Sequence, residues 1–210
     1  MEIPERKLLF QKQRTCYSRS HYRSLLIRYD DPVFYSGLLH DIRTKQKLLS
    51  SEEISLFREK PFRQITTGDI KRAYGKPDYR LRRSDPFKRE IFFYQMKLGL
   101  HRANLELHFS DDELFFYSYS FPCLKNQDRI RVLQIIESKY LEGERCDFEK
   151  FMITDDCYNY INIREQGVLT IHYIRFASAF FEELSLLMEK QEGDREMARK
   201  RTVEHLFERL

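Results

Sequence analysis

Five polar residues could form a catalytic or binding site on one face of a predicted sheet. They are Glu106 and His108 on one predicted strand, and Asn162, Arg164 and His172 on two others. Because side chains alternate between the two faces of a strand, these residues lie opposite the apolar positions. If the strands are neighbours, His108 or His172 could act as a general base that Glu106 orients. The alternative is the solvated face of an antiparallel sheet, which carries the same residue types.

Basic residues could form a second site, for an anionic partner. The loop predicted around Asp85 carries five of them, Arg80, Arg82, Arg83, Lys88 and Arg89. Near the N-terminus, Arg14, Arg19 and Arg23 alternate with aromatic residues. Basic side chains contact phosphates and aromatic rings stack on bases, so this composition is typical of nucleic-acid binding. The alternatives are a solvated turn for the loop and amphipathic edge strands for the N-terminal segment.

The sequence contains no motif for catalysis or for a cofactor. We find no phosphate-binding glycine loop, no H-E-x-x-H helix and no G-x-S-x-G turn. The four cysteines show no C-x-x-C spacing, and we expect them to be free thiols. Cys16 and His21 lie close together but lack a second pair for zinc. We therefore predict no cofactor, no metal site and no catalytic residue, although an enzyme stays possible.

The strands that would position these residues show clear alternation. Residues 91–97, 104–109 and 114–121 predict three antiparallel strands joined by tight turns. Phe115, Tyr117, Tyr119 and Phe121 are predicted to share one face of the third strand. A second hairpin is predicted from residues 158–164 and 168–174, with Gly167 in its turn.

Helix start and stop signals frame these strands. Thr66 and Asp69 form a predicted capping box, and Gly75 is placed to end that helix. Ser50 and Glu53 predict a similar box for a helix that ends before Pro61. Apolar spacing predicts further helices over residues 126–141 and 177–191, with Ile130 on the buried face of the first. Gly193 is expected to end the last of these, and Asp194 to begin a separate C-terminal helix.

These elements predict an α+β fold. Its sheet is a three-strand meander plus a hairpin, packed against two or three helices, with an N-terminal extension and a C-terminal helix. We divide the chain into a basic extension of short strands and a capped helix (1–60), a core domain (61–192) and a docking helix (193–210). The apolar edge of that last helix, which we expect to bind a partner, consists of Val203, Leu206, Phe207 and Leu210.

Charge is distributed unevenly along the chain. Residues 1–100 contain 22 Lys and Arg against 12 Asp and Glu, so that half is basic and the remainder is acidic. A basic half attracts nucleic acid or an acidic partner, or it pairs with the acidic half. The sequence lacks a signal peptide and a membrane-spanning run, so we expect a cytoplasmic protein.

Two resemblances arise from these elements. The segment from Thr66 through Asp78, with its capped helix and Gly-x-Pro turn, resembles small outer-membrane-lipoprotein and β-lactamase-inhibitor-like modules. The order of helices and strands is similar to that of bacterial secretion chaperones. Both resemblances imply non-catalytic protein binding, and neither assigns the chain to a family because a shared fold does not define a function.

We therefore predict a chaperone-like adaptor or complex subunit that binds a protein partner or its own copies. Binding would involve a sheet face and the C-terminal helix. The alternative is a nucleic-acid-binding protein that uses the basic N-terminal half.

Overall fold

The computed structural model describes residues 19–83, 85 and 87–207. The chain divides after Phe176 into two compact units, the second of which contains the C-terminal helix. No helix among the described residues is both long and apolar enough to cross a bilayer.

Five α-helices and eight strands are formed by the described residues. The helices are α1 (Arg19–Arg28), α2 (Ser36–Thr44), α3 (Thr67–Tyr74), α4 (Asn126–Tyr140) and α5 (Ala179–Phe207). The strands are β1 (Gln46–Leu49), β2 (Tyr79–Arg82), β3 (Arg89–Leu98), β4 (His101–Ser110), β5 (Glu113–Phe121), β6 (Phe151–Thr154), β7 (Asn159–Gln166) and β8 (Val168–Arg175). Short 3-10 helical turns cover Pro32–Tyr35 and Phe62–Gln64.

All eight strands belong to one mixed sheet in the order β1-β6-β7-β8-β5-β4-β3-β2. Every neighbouring pair in this described sheet is antiparallel except β1 and β6. The α+β prediction is confirmed, but the sheet is larger than a meander plus a hairpin. The additional strands, β1, β2 and β6, have four residues each, which is too short to show a clear alternation.

The capped helix predicted at Ser50 is wrong. The backbone N–H of Ser50 donates to Thr154 O at 2.7 Å, and that of Ile54 donates to Asp155 Oδ2 at 2.9 Å. These N–H groups are therefore satisfied by β6 and the turn after it instead of by a helix. Ser50 makes a local turn, in which its Oγ accepts from Glu52 N at 3.2 Å.

Two further helical expectations are corrected. Residues 19–28 form helix α1 and not edge strands. Gly193 lies inside the continuous helix α5, because one glycine in a helix costs only about 1 kcal/mol and does not end it. The division into 1–60, 61–192 and 193–210 stays a prediction. The structure places β1 in the same sheet as the later strands, and α5 continues through residue 193.

The capping box of α3 is confirmed. The Thr66 side chain accepts from Asp69 N, and the Asp69 carboxylate accepts from Thr66 N. Gly75 follows with φ of 75°, a left-handed conformation that favours glycine. These features could be predicted from the sequence because the residues that form them lie within one helical turn of each other.

The two faces of the sheet are covered by different parts of the chain. The apolar face forms the main core together with residues of α3, α4 and the segment between β1 and α3. The opposite face lies beneath residues 19–45, which contain α1, a 3-10 turn and α2, and which we call the N-terminal cover. Leu25 and Tyr29 of the cover pack against Ile91 and Phe93 of β3 in a second, smaller cluster.

A β-bulge between β4 and β5 changes the face on which Phe115 lies. Phe109 pairs with Leu114 and His108 pairs with Phe116, so Phe115 has no partner on β4. As a result Phe115 contacts the ring of Tyr35 in the cover, with centroids 5.5 Å apart. The prediction that Phe115 shares a face with Tyr117 is therefore wrong.

Candidate functional site

A cleft of about 640 Å³ lies between α4 and the apolar face of the sheet, and we call it the α4 cleft. One side is α4 itself, and the other is the β3–β4 turn together with Ser55 and Leu56. Its apolar lining comes mainly from Leu56, Leu98, Leu100, Tyr117, Tyr119, Phe121, Val132, Ile135, Ile136, Tyr140, Ile171 and Tyr173. A cleft of this volume matches the sites that hold small molecules in other proteins.

Helix α4 forms the cleft because only part of its apolar surface packs on the sheet. Ile136 and Tyr140 are buried, whereas Ile135 is 63% exposed at the cleft and Ile130 is 55% exposed. The prediction that Ile130 belongs to the buried face is therefore wrong. Leu100, in the turn that begins with Gly99, is 95% exposed and stands at the other side of the cleft.

The floor of the cleft is a cluster of tyrosine rings. Tyr117 and Tyr173 stack with centroids 4.4 Å apart and an interplanar angle of 7°, and Tyr119 meets both rings nearly at right angles. Burial raises the pKa of each of these three phenols well above its usual value. They therefore stay protonated near neutral pH and serve as hydrogen-bonding groups, not as bases.

Charged side chains lie at the two ends of the cleft. Asp128 lies near the start of α4, where Arg131 Nη1 is 3.5 Å and His101 Nε2 is 3.9 Å from its Oδ1. Lys139 lies at the other end, and its Nζ donates to the Tyr140 hydroxyl at 2.8 Å. The positions of Asp128 and Lys139 along the helix are about 16 Å apart.

Sheet register brings the predicted polar residues together on one face. Glu106, Ser118, His172 and Asn162 are consecutive partners across β4, β5, β8 and β7, and we call them the polar row. His108 and Arg164 lie on the same face, each two residues along its strand from this row and on opposite sides of it. The predicted juxtaposition of these strands is therefore present in the fold.

The alternative of a solvated face is wrong for three of these residues. His108, Asn162 and His172 are buried, because the N-terminal cover lies over them. Asn162 Nδ2 and Arg164 Nη2 each donate to Asp41 Oδ2 of α2 at 2.6 Å. The Tyr29 hydroxyl donates to the Glu106 carboxylate. The sequence contained no signal for these contacts, because their partners lie far apart in the chain.

The environment of the two histidines keeps them uncharged. Burial lowers the pKa of His108 to about 4 and the pKa of His172 to about 3. Burial alone would raise the pKa of Glu106, but His108, Arg28 and Tyr29 stabilise its carboxylate and lower that pKa overall. Nε2 of His108 lies 3.8 Å from Glu106 Oε2, beyond hydrogen-bond distance, and Nδ1 of His172 has no hydrogen-bond partner among the described residues. The role of this face as a site stays a prediction, and the cover separates His108, Asn162 and His172 from solvent.

Each of the five bases near the β2–β3 connection has a carboxylate partner. Arg80 contacts Glu90, and Arg82 lies 3.6 Å from the same carboxylate. Three more pairs join Arg83 to Asp30 at 2.9 Å, Lys88 to Asp111 at 3.0 Å and the buried Arg89 to Asp85 at 2.6 Å. An anionic partner would compete with these carboxylates. The anionic-partner site stays a prediction.

The remaining predicted residues lie near the ends of the chain. Arg14 and Leu210 fall outside the described residues. Arg19, Val203, Leu206 and Phe207 have described backbone in α1 or α5, but their side chains do not belong to the described part. Arg23 is exposed on α1. The partner-binding role of the C-terminal residues therefore stays a prediction.

Sequence reasoning missed the α4 cleft. Tyr117, Tyr119 and Tyr173 read as ordinary core residues by alternation, and the space above them depends on how α4 packs. The sequence contained one signal for it. Ile130 and Ile135 are both apolar but lie five positions apart, whereas residues on one face of a helix recur every three or four positions, so both cannot belong to the same buried stripe of α4.

Comparisons of the chain with protein-family models, with curated proteins and with solved structures found no match.

Proposed function

We propose that the protein is a binding protein that takes an apolar ligand into the α4 cleft. The observation that carries this proposal is a cleft of about 640 Å³ with an apolar lining and a buried aromatic floor. Covering apolar surface contributes about 25 cal/mol per Å² in water, so a ligand that fills the cleft gains affinity from burial alone. Tyrosine rings add edge-to-face and stacking contacts to that gain.

The proposal concerns binding and not catalysis. The groups that best resemble a general base, His108 and His172, lie on the opposite face of the sheet beneath the N-terminal cover. The phenols on the cleft floor have raised pKa values and stay protonated near neutral pH.

A neutral dye tests the proposal without assuming the natural ligand. Nile red emits strongly in apolar surroundings, and we expect a saturable increase in its emission with the full chain. Val132→Trp places a large side chain inside the cleft, and Ile135→Trp blocks its mouth. Each variant should weaken dye binding by about tenfold or more, which corresponds to the loss of one well-buried group.

A matched control uses Leu49→Trp. Leu49 is 66% exposed on β1 and does not line the cleft, so this variant should bind the dye like the parent chain. Circular dichroism confirms that each variant is folded. If the cleft variants and the control bind the dye equally well, the proposal is wrong.

Protein binding is a second candidate, which continues the adaptor prediction. Leu100, Ile130 and Ile135 are all more than half exposed. A small ligand inside the cleft leaves Ile130 uncovered, whereas a partner protein would cover all three side chains. Analytical ultracentrifugation tests self-association, which Leu100→Asp and Ile130→Asp should reduce. Deleting residues 194–210 separately tests the contribution of the C-terminal helix.

A further inference from the structure

The charges along the α4 cleft are asymmetric. At the start of α4, Asp128 is compensated by Arg131, whose Nη1 lies 3.5 Å from its Oδ1. At the end of α4, Lys139 has no carboxylate within 4 Å among the described residues. Of the charged groups that line the cleft, Lys139 is therefore the uncompensated one in the described part of the chain.

Lys139 is held in place at the cleft. Its Nζ donates to the Tyr140 hydroxyl and lies 4.5 Å from the centroid of the same ring. Tyr140 also interacts electrostatically with Tyr173 on the floor. An ammonium group has three donors and Tyr140 uses one of them, so two remain for a ligand.

We propose that the ligand of the α4 cleft is an amphiphilic carboxylate, whose anionic group binds Lys139 and whose apolar body lies along α4. This inference rests on the proposed function, because it names the chemical class of the ligand at that site. The apolar body would contact Val132, Ile136 and Ile171, which lie between the two charged ends. The opposite orientation would bring the carboxylate to Asp128 and Arg131, whose opposite charges offset each other, so that end of the cleft provides no net attraction.

Other charged side chains also lie near Lys139. Glu52, Glu53 and Arg58 line a neighbouring depression that Lys139 also borders. Lys139 is exposed as they are, but it lines the cleft and they do not, so water and salt screen their interaction with a carboxylate bound inside the cleft. Hydrogen bonds between an ammonium and a carboxylate are stronger than those between neutral groups, which favours the direct contact with Lys139.

Probes that differ only in their head group test the inference. Dodecanoate, dodecanol and dodecylamine share one chain, and naphthoate and naphthalenemethanol provide an aromatic pair. Each probe displaces Nile red from the full chain below the concentration at which micelles form. We expect at least one carboxylate to bind about tenfold more tightly than its alcohol, as expected for one charge-assisted hydrogen bond, and we expect the amine to bind most weakly.

Variants at the two ends of the cleft locate the head group. Lys139→Met retains an apolar stem and should remove the preference for carboxylate without loss of Nile red binding. Lys139→Arg should keep the preference. Arg131→Met makes the same change of charge at the Asp128 end. This variant and Glu53→Gln should each change the preference for carboxylate by less than about twofold, as expected for exposed charges.

The outcomes separate this inference from the proposed function. If Nile red binds in the cleft but neither carboxylate is preferred over its alcohol, the inference is wrong and the proposed function stands. The inference also fails if Lys139→Met keeps the preference. If Nile red does not bind in the cleft at all, both proposals fail.

Discussion

The Tyr35 hydroxyl lies 2.7 Å from Nδ1 of His108, although 73 positions separate the two residues in the chain. Both side chains are fully buried. This hydrogen bond joins the N-terminal cover to the polar face of the sheet, beside the contact between Tyr29 and Glu106. The cover is therefore held by specific polar contacts as well as by apolar packing.

Removal of the Tyr35 hydroxyl should destabilise the protein. Tyr35→Phe keeps the ring but leaves Nδ1 of the buried His108 without its partner, at a cost of about 1–3 kcal/mol. Urea unfolding followed by circular dichroism measures the change in free energy of unfolding. Tyr158→Phe, at a tyrosine that is 63% exposed, is the control and should change stability by less than about 0.5 kcal/mol. Equal stability of the two variants would contradict a structural role for this bond.

Stability should fall as the pH decreases below about 6.5. Burial lowers the pKa of His108 to about 4 and that of His172 to about 3, so the unfolded chain binds these protons first. The stability that neutral His108 provides is complete above the unfolded pKa and is lost between 6.5 and about 4. For His172 the loss continues to about 3.

The groups that face these histidines affect the same profile. His108 lies near Glu106, Arg28 and Arg89, and contacts Tyr29 and Tyr35 from the cover; His172 is influenced by Arg164, Glu106, Arg28 and Asp41. Burial alone would raise the pKa of Asp41, but Arg164 and Asn162 lower it overall, so its contribution is lost only at still lower pH. Unfolding free energies measured from pH 7 to pH 4 should be less pH-dependent in His172→Gln, whereas exposed His40→Gln should follow the parent chain. A flat profile for the parent chain would rule out this linkage.

The capping box of α3 should contribute measurably to the free energy of unfolding. Thr66→Ala removes the side chain that accepts from Asp69 N, which typically costs about 1 kcal/mol. Thr66→Ser keeps an oxygen in the same place and should retain most of the stability. Denaturant midpoints of the two variants provide the comparison, and a loss of equal size in both would point to the methyl group instead.

Two glycines should respond in opposite directions to alanine. Gly193 lies inside α5 with nothing within 4 Å of an added Cβ, so Gly193→Ala should raise helix stability by about 1 kcal/mol. Gly75 has φ of 75°, so Gly75→Ala should strain the backbone and destabilise α3. Hydrogen exchange of α5 and α3 amides reports each effect locally. Faster exchange around residue 193 in the alanine variant would contradict a continuous helix.

Features with local causes were predictable from the sequence. The α3 cap depends on Thr66 and Asp69, which are three positions apart, and the central strands depend on alternation between neighbours. The polar residues Glu106, His108 and His172 were also correctly placed on one face, because a strand fixes the direction of each side chain.

Tertiary structure decided the features that depend on distant partners. Ser50 carries a valid start signal, yet β6 and the turn after it supply its segment with hydrogen bonds, and no helix forms. Burial of His108 depends on the cover formed by residues 19–45, and the alternation of a strand does not indicate which part of the chain packs on each of its faces. The α4 cleft is a gap between a helix and a sheet, so it follows from the packing of whole elements and not from the residue types that line it.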